Sequence, residues 1–167
     1  MVGGDKFSRL IFAQHTTGRL NYFHTLSRMT TTSSGDNNNN NNNNALPSSL
    51  KRRVIDKINA NKLTIIVGPT GCGKSSIIPQ VLLEGIGHPI LCTQPRRLAV
   101  VAVASYVAKQ RSVILGEDEV GYHVGQDRMS THDTQLVYAT SGVLLKELKN
   151  HGLDAITKYK VVIIDEW

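Results

Sequence analysis

Gly68, Gly73, Lys74 and Ser75 stand in the spacing G-x-x-x-x-G-K-S, directly after the apolar run Leu63-Thr64-Ile65-Ile66-Val67. A strand running into a glycine-rich turn and then a helix is the arrangement that binds phosphate. The glycines let the backbone curl through φ > 0, so that successive N–H groups point inward, and the following helix adds the positive end of its dipole. Lys74 supplies a mobile positive charge for the β- and γ-phosphates, and Ser75 a hydroxyl for Mg²⁺, a hard cation that takes oxygen ligands. The nucleotide contacts expected on this basis are Gly68, Thr70, Gly71, Cys72, Gly73, Lys74, Ser75 and Ser76. A glycine-rich turn with an exposed lysine is the alternative, and the strand before and Ile77-Ile78 after it favour the phosphate loop.

A second set of groups lies far along the chain. Val161-Val162-Ile163-Ile164 reads as a fully buried strand and delivers Asp165-Glu166 to its carboxyl end. A nucleotide hydrolase needs such carboxylates opposite its phosphate loop. Asp165 would hold Mg²⁺ through water, and Glu166 would act as general base on the attacking water while Lys74 spreads charge on the transferred phosphoryl. Taken alone, an acidic pair after a strand reads equally as a solvated turn. Its position in an alternating α/β chain, downstream of a phosphate loop, favours the catalytic reading.

The elements that must position these groups follow from periodicity. A helix is expected from an N-cap at Ser48 or Ser49, with Leu50, Val54, Ile55 and Ile58 on one face, ending near residues 59 to 61. Next come a strand at 63–67 and a helix at about 74–84, stopped by Gly85-Ile86-Gly87. Pro79 lies inside that helix, removes the N–H that would bond Ser75, and predicts a kink or a shorter helix. Ile90-Leu91-Cys92 is a further strand, leading through Thr93-Gln94-Pro95-Arg96-Arg97 into a helix over about 98–109. Residues 111–133 read as irregular connection with a short strand at 120–124, followed by a strand at 135–139 and a helix at 141–150. Strands alternating with helices imply a mostly parallel sheet, flanked by helices and linked by right-handed crossovers.

Composition bounds the rest. The chain has 167 residues and 40% apolar content, enough for one buried core and a tail. The eight consecutive asparagines Asn37–Asn44, preceded by a Thr/Ser-rich tract, have nothing to bury, so residues 1–46 are expected to be a disordered, basic tail ahead of a domain at 47–167. Residues 1–29 carry four basic groups against Asp5, which also suits an organelle transit peptide for mitochondrion or plastid, and Met29 is an alternative start. A net charge of +6 suits a polyanionic partner, although many basic proteins merely have solvated lysines. Cys72 and Cys92 match no metal-ligand spacing and no disulfide framework, pointing to a reducing compartment, cytoplasmic or nuclear. No run approaches the ~18 apolar residues of a membrane span.

In order and spacing the segments resemble the DEAH/DExH-box RNA helicases, in the N-terminal part of their first RecA-like domain. The matching pieces are GPTGCGKS at 68–75, IPQ at 78–80, TQPRR at 93–97, GYHVG at 121–125, TSGVLL at 140–145 and IIDE at 163–166. TQPRR is the most telling, because generic phosphate-loop kinases and GTPases have no reason to place it on the next strand, and the family also carries proline in its IPQ. The resemblance implies ATP and Mg²⁺ as cofactors, and a single-stranded RNA backbone contacted without regard to base by Thr93, Arg96, Arg97, Thr140 and Gly142. The residue types agree: arginines pair bidentately with phosphate, threonines offer hydroxyls, and Gly142 lets a helix start approach closely. A pair of surface charges is the alternative for Arg96-Arg97, but a helix N-terminus is a poor place for them without an anion.

Three departures bear on the carry-over. Tyr106 stands where the family has an arginine that stacks on the nucleotide base. Trp167 replaces the small third residue of the DEAH box. The family's S-A-T strand, which lies between the phosphate-loop strand and the Asp-Glu strand, has no counterpart after residue 167. The sheet is therefore expected to be incomplete toward the C-terminus, with two unpaired strand edges or a direct pairing that displaces Asp165 and Glu166, and the chain to be marginally stable. Three readings remain: a segment of an RNA-stimulated ATPase and helicase, a nucleotide- or RNA-binding module without turnover, and a phosphate-loop kinase, the last disfavoured because no arginine-bearing lid follows Ser75.

Overall fold

The computed structural model describes residues 9–15, 46–68 and 71–165. In chain order the elements are β1 (Arg9–His15), α1 (Ser48–Ala60), β2 (Leu63–Gly68), α2 (Ile77–Gly85), β3 (Ile90–Gln94), α3 (Arg97–Arg111), β4 (Val120–Val124), β5 (Asp127–Met129), β6 (Leu136–Thr140), α4 (Ser141–His151), α5 (Asp154–Thr157) and β7 (Val161–Asp165). The strands form one seven-stranded sheet in the order β2-β1-β7-β3-β6-β4-β5. Every pairing is parallel except the β4–β5 hairpin at one edge. The α/β class and the flanked parallel sheet are as expected.

Both faces of the sheet are covered, which is why its central strands read as unbroken apolar runs. Alternate residues divide between two cores. Ile90, Cys92, Leu136, Tyr138, Val161 and Ile163 join Val54 and Ile58 of α1, Leu82 of α2 and Val100, Ala104 and Val107 of α3. Leu91, Ala139 and Val162 face the other way, onto Val143 and Leu144 of α4. At the far end of the first core Arg111 ties three elements together, donating to Glu119 at 2.6 Å just before β4 and to Glu84 of α2 at 3.1 Å.

The expected gap in the sheet is filled. Arg9–His15, read as part of a disordered tail, form β1 instead and lie in the interior of the sheet between β2 and β7. The pairing runs from Leu10↔Leu63 to His15↔Gly68 on one side and from Arg9↔Val161 to Ala13↔Asp165 on the other. The two edges therefore neither stand open nor pair with each other. The run Leu10-Ile11-Phe12-Ala13 is too short to signal a strand by its pattern, and only the tertiary slot makes it one. The asparagine tract and residues 1–8 lie outside the described residues.

Pro79 is also accommodated differently from the expected kink. Regular helix begins at Ile77 rather than Lys74, so Pro79 falls in the first turn of α2. Residues 71–76 are turns, with Ile77 N–H and Ile78 N–H both on the Gly73 carbonyl at 2.7 and 3.1 Å. The Ser75 carbonyl that Pro79 leaves without a helical donor accepts the Tyr138 hydroxyl at 3.1 Å. Two short elements, β5 and α5, go beyond the expected set.

Candidate nucleotide site and anion-contacting edge

The loop after β2 has the backbone its glycines permit. Gly71 and Gly73 have φ of 79° and 88°, the left-handed region that costs side-chain-bearing residues about 1–2 kcal/mol. Gly73 is restricted twice over, because a Cβ there would come within 2.4 Å of the Ile77 side chain. Lys74 is buried, 4% exposed, and its Nζ donates to the Gly68 carbonyl at 2.8 Å and lies 3.5 Å from Cys72 Sγ. The ammonium is thus held back against the first residue of the loop. Pro69 and Thr70 lie outside the described residues.

Across the sheet, the loop and β7 meet. Ser75 Oγ donates to Asp165 Oδ2, and Gln94 Nε2 donates to the same oxygen at 2.6 Å. Asp165 ends β7 and is fully buried. Its charge is felt beneath the loop: the Cys92 thiol is pushed well up by burial and then by Asp165, and the Tyr138 phenol by burial, then Cys92 and Asp165. A hydroxyl from the loop and a carboxylate from a strand end are the oxygen donors that Mg²⁺ takes, and Ser75 and Asp165 would hold it. Two members of this site, Gln94 and Tyr138, were not expected from the sequence. Gln94 was legible as part of TQPRR, but nothing in sequence places Tyr138 under Ser75. Glu166, the expected general base, lies outside the described residues.

The two thiols give a direct check on this packing. Cys72 is exposed in the loop and Cys92 is buried with a raised pKa. One equivalent of thiol reagent is expected to react at neutral pH in the native protein, at Cys72, and a second only in denaturant. Peptide mapping after alkylation reads this out, and saturating Mg-ATP should slow the Cys72 reaction at least about tenfold.

The residues expected to touch RNA fall into two groups. Arg96 and Arg97 are exposed at the start of α3, beyond the carboxyl end of β3. Arg97 lies along Gly125, in the turn between β4 and β5, where φ is 63° and a Cβ would be 3.5 Å from the guanidinium. Thr140 occupies the N-cap position of α4 without a side-chain capping bond, pairs in register with Gln94, and exposes little of its surface, while Gly142 faces open space. Thr93 is set apart from these: it is fully buried and its hydroxyl donates to the Ile163 carbonyl at 3.3 Å, fastening β3 to β7. Strand alternation accounts for the difference from Gln94, since the two side chains point to opposite faces of the sheet.

Tyr106 is 43% exposed on α3. Its hydroxyl accepts from Gln110 at 2.8 Å, Gln110 accepts from Gln80 at 3.0 Å, and Gln80 also donates to the Ser76 carbonyl at 2.9 Å. An amide chain therefore links Tyr106 to the turn that follows the phosphate loop.

Residues 48–167, which hold the loop, Asp165 and the arginine edge, match the DEAD/DEAH box helicase family. The chain belongs to that family. This helicase-family segment is 56% identical over 118 residues to the DExH-box ATP-dependent RNA helicase DExH8 of Arabidopsis thaliana, covering 71% of the chain and 11% of that protein. It is 47% identical over 121 residues to zinc finger CCCH domain-containing protein 4 of Oryza sativa subsp. japonica, covering 71% and 12%. A probable ATP-dependent RNA helicase, the DHX35 homolog of Caenorhabditis elegans, is 48% identical over 106 residues, covering 61% and 14%. The segment thus spans roughly an eighth of the length of these relatives. Among the described residues no helix is long and apolar enough to cross a membrane.

Proposed function

We propose that this chain is the ATP-binding segment of an ATP-dependent RNA helicase, in which nucleotide binding and hydrolysis are coupled to binding and unwinding of RNA. The observation that carries the reading is the convergence of Ser75 and Asp165 at the phosphate loop, with Lys74 held beside it. Lys74 and the loop N–H groups bind the phosphates, Ser75 and Asp165 hold Mg²⁺, and Gln94 fixes the carboxylate in place. The metal would neutralise charge on the phosphates. Glu166 follows Asp165 directly and is the residue proposed to take the proton of the attacking water. Tyr106, 43% exposed on α3, is the aromatic side chain proposed to stack on the nucleotide base.

Arg96, Arg97, Thr140 and Gly142 form the RNA edge, at the carboxyl ends of β3 and β6. Their chemistry addresses phosphate, so recognition is independent of base identity. As roughly an eighth of its relatives' length, the segment by itself is proposed to bind without unwinding. Its two thiols suit a reducing compartment, the cytoplasm or nucleus.

The test is fluorescence titration of the whole chain with labelled single-stranded RNA at several salt concentrations, in the presence of Mg-ATP. Binding is expected to weaken steeply with salt and to be alike for different sequences. Arg96→Ala and Arg97→Ala should each weaken it uniformly and lower the salt slope by about 0.7. Sequence-specific binding, or an unchanged slope in both variants, would overturn the assignment of this edge.

A further inference from the structure

The phosphate loop and the Asp165 carboxylate belong to strands that do not touch. β1 stands between them, so Gly68 and Asp165 lie on strands two ladder spacings apart, about 9.5 Å. The Ser75–Asp165 contact is made across that interval. β1 is fastened along its length: it pairs on both sides, its first N–H bonds the Lys160 carbonyl at 3.1 Å, and Ile11 is fully buried in the core beneath α1 to α3. The strand ends with His15 level with Gly68, the first residue of the phosphate loop.

Without β1, the edges of β2 and β7 must either separate or pair directly. Direct pairing shifts one strand by about 4.8 Å relative to the other, well beyond the tolerance of the hydrogen bonds among Ser75, Gln94 and Asp165. Separation leaves both ladders unpaired. Either result takes apart the Ser75–Asp165 pair while leaving the loop sequence intact.

We propose that the N-terminal segment Arg9–His15 is a positioning element of the nucleotide site, and that its insertion into the sheet and the binding of Mg-nucleotide favour one another. The inference rests on the nucleotide-binding reading above. Linkage is reciprocal: if β1 holds the site in its binding geometry, bound nucleotide holds β1 in the sheet. Met29 lies downstream of β1, so a chain begun there would lack the spacer altogether.

Hydrogen exchange on the whole chain, with and without a non-hydrolysable ATP analogue and Mg²⁺, tests this without altering the protein. Amides of β1, β2 and β7 are expected to slow at least about tenfold with nucleotide, while those of β4 and β6 change little. A merely structural strand would show no such selectivity. Alongside it, Ala13→Pro, which removes a ladder N–H from an interior strand, should weaken nucleotide binding at least about tenfold. Nucleotide binding with β1 exchange unchanged overturns the inference and leaves the nucleotide reading standing. An Ala13→Pro chain that binds as tightly as the original does the same. If Ala13→Pro does not fold, the exchange data on the unaltered chain decide the matter alone. Failure of the unaltered chain to bind nucleotide overturns both readings.

Discussion

Lys74→Ala is expected to weaken Mg-ATP binding by about 100-fold or more, measured by titration with a fluorescent nucleotide. Lys74 is nearly buried and its ammonium already lies against the Gly68 carbonyl, so little reorganisation is needed to turn it toward a phosphate. A charge-assisted hydrogen bond to phosphate is worth about 1.5–3 kcal/mol, and the lost neutralisation of neighbouring phosphate charges adds to this. Lys74→Arg should recover only a fraction, because a planar guanidinium is larger than the ammonium it replaces and meets phosphate in a fixed fork. Retained tight binding in Lys74→Ala would sink the assignment of this loop as the phosphate site. The variant's circular dichroism should match the original, since Lys74 holds the loop and not the sheet.

The second large effect is at Asp165. With Asp165→Asn, nucleotide affinity measured with Mg²⁺ is expected to fall to the value measured in EDTA, a drop of about 10- to 100-fold for one lost charged ligand. Asp165→Ala should show the same loss of the metal effect together with a stability loss of about 2–6 kcal/mol. The reason is local: Ser75 Oγ and Gln94 Nε2 both donate to this carboxylate in a buried site. Each donor left without an acceptor costs about 1–3 kcal/mol. Urea unfolding of the two variants separates the contributions, because the amide keeps an acceptor where alanine has none. A metal effect that survives in Asp165→Asn would move the Mg²⁺ site away from Ser75 and Asp165.

The Asp165 carboxylate shows how sequence and structure divide the work. A buried apolar run ending in an acid pair was enough to place it at the carboxyl end of a strand, opposite a phosphate loop. The run could not say what holds the carboxylate. Gln94 comes from the neighbouring strand β3, and the Tyr138 hydroxyl that takes the Ser75 carbonyl comes from β6. Such contacts depend on strand order and register, which sequence period does not encode. The same limit explains Thr93: its residue type suited a phosphate contact, but the face it occupies turned its hydroxyl onto Ile163.

Local chemistry alone determined the glycine-rich loop, the alternation of strands and helices, the acidic strand end and the arginine pair, since each rests on residue type and short-range spacing. The neighbours in the sheet were decided only by the tertiary structure. Seven residues ahead of a polar tract became the strand that lies between β2 and β7. A strand of that length has too little apolar surface and no partner of its own, so it exists only where two other strands offer their unpaired edges and a core receives Ile11.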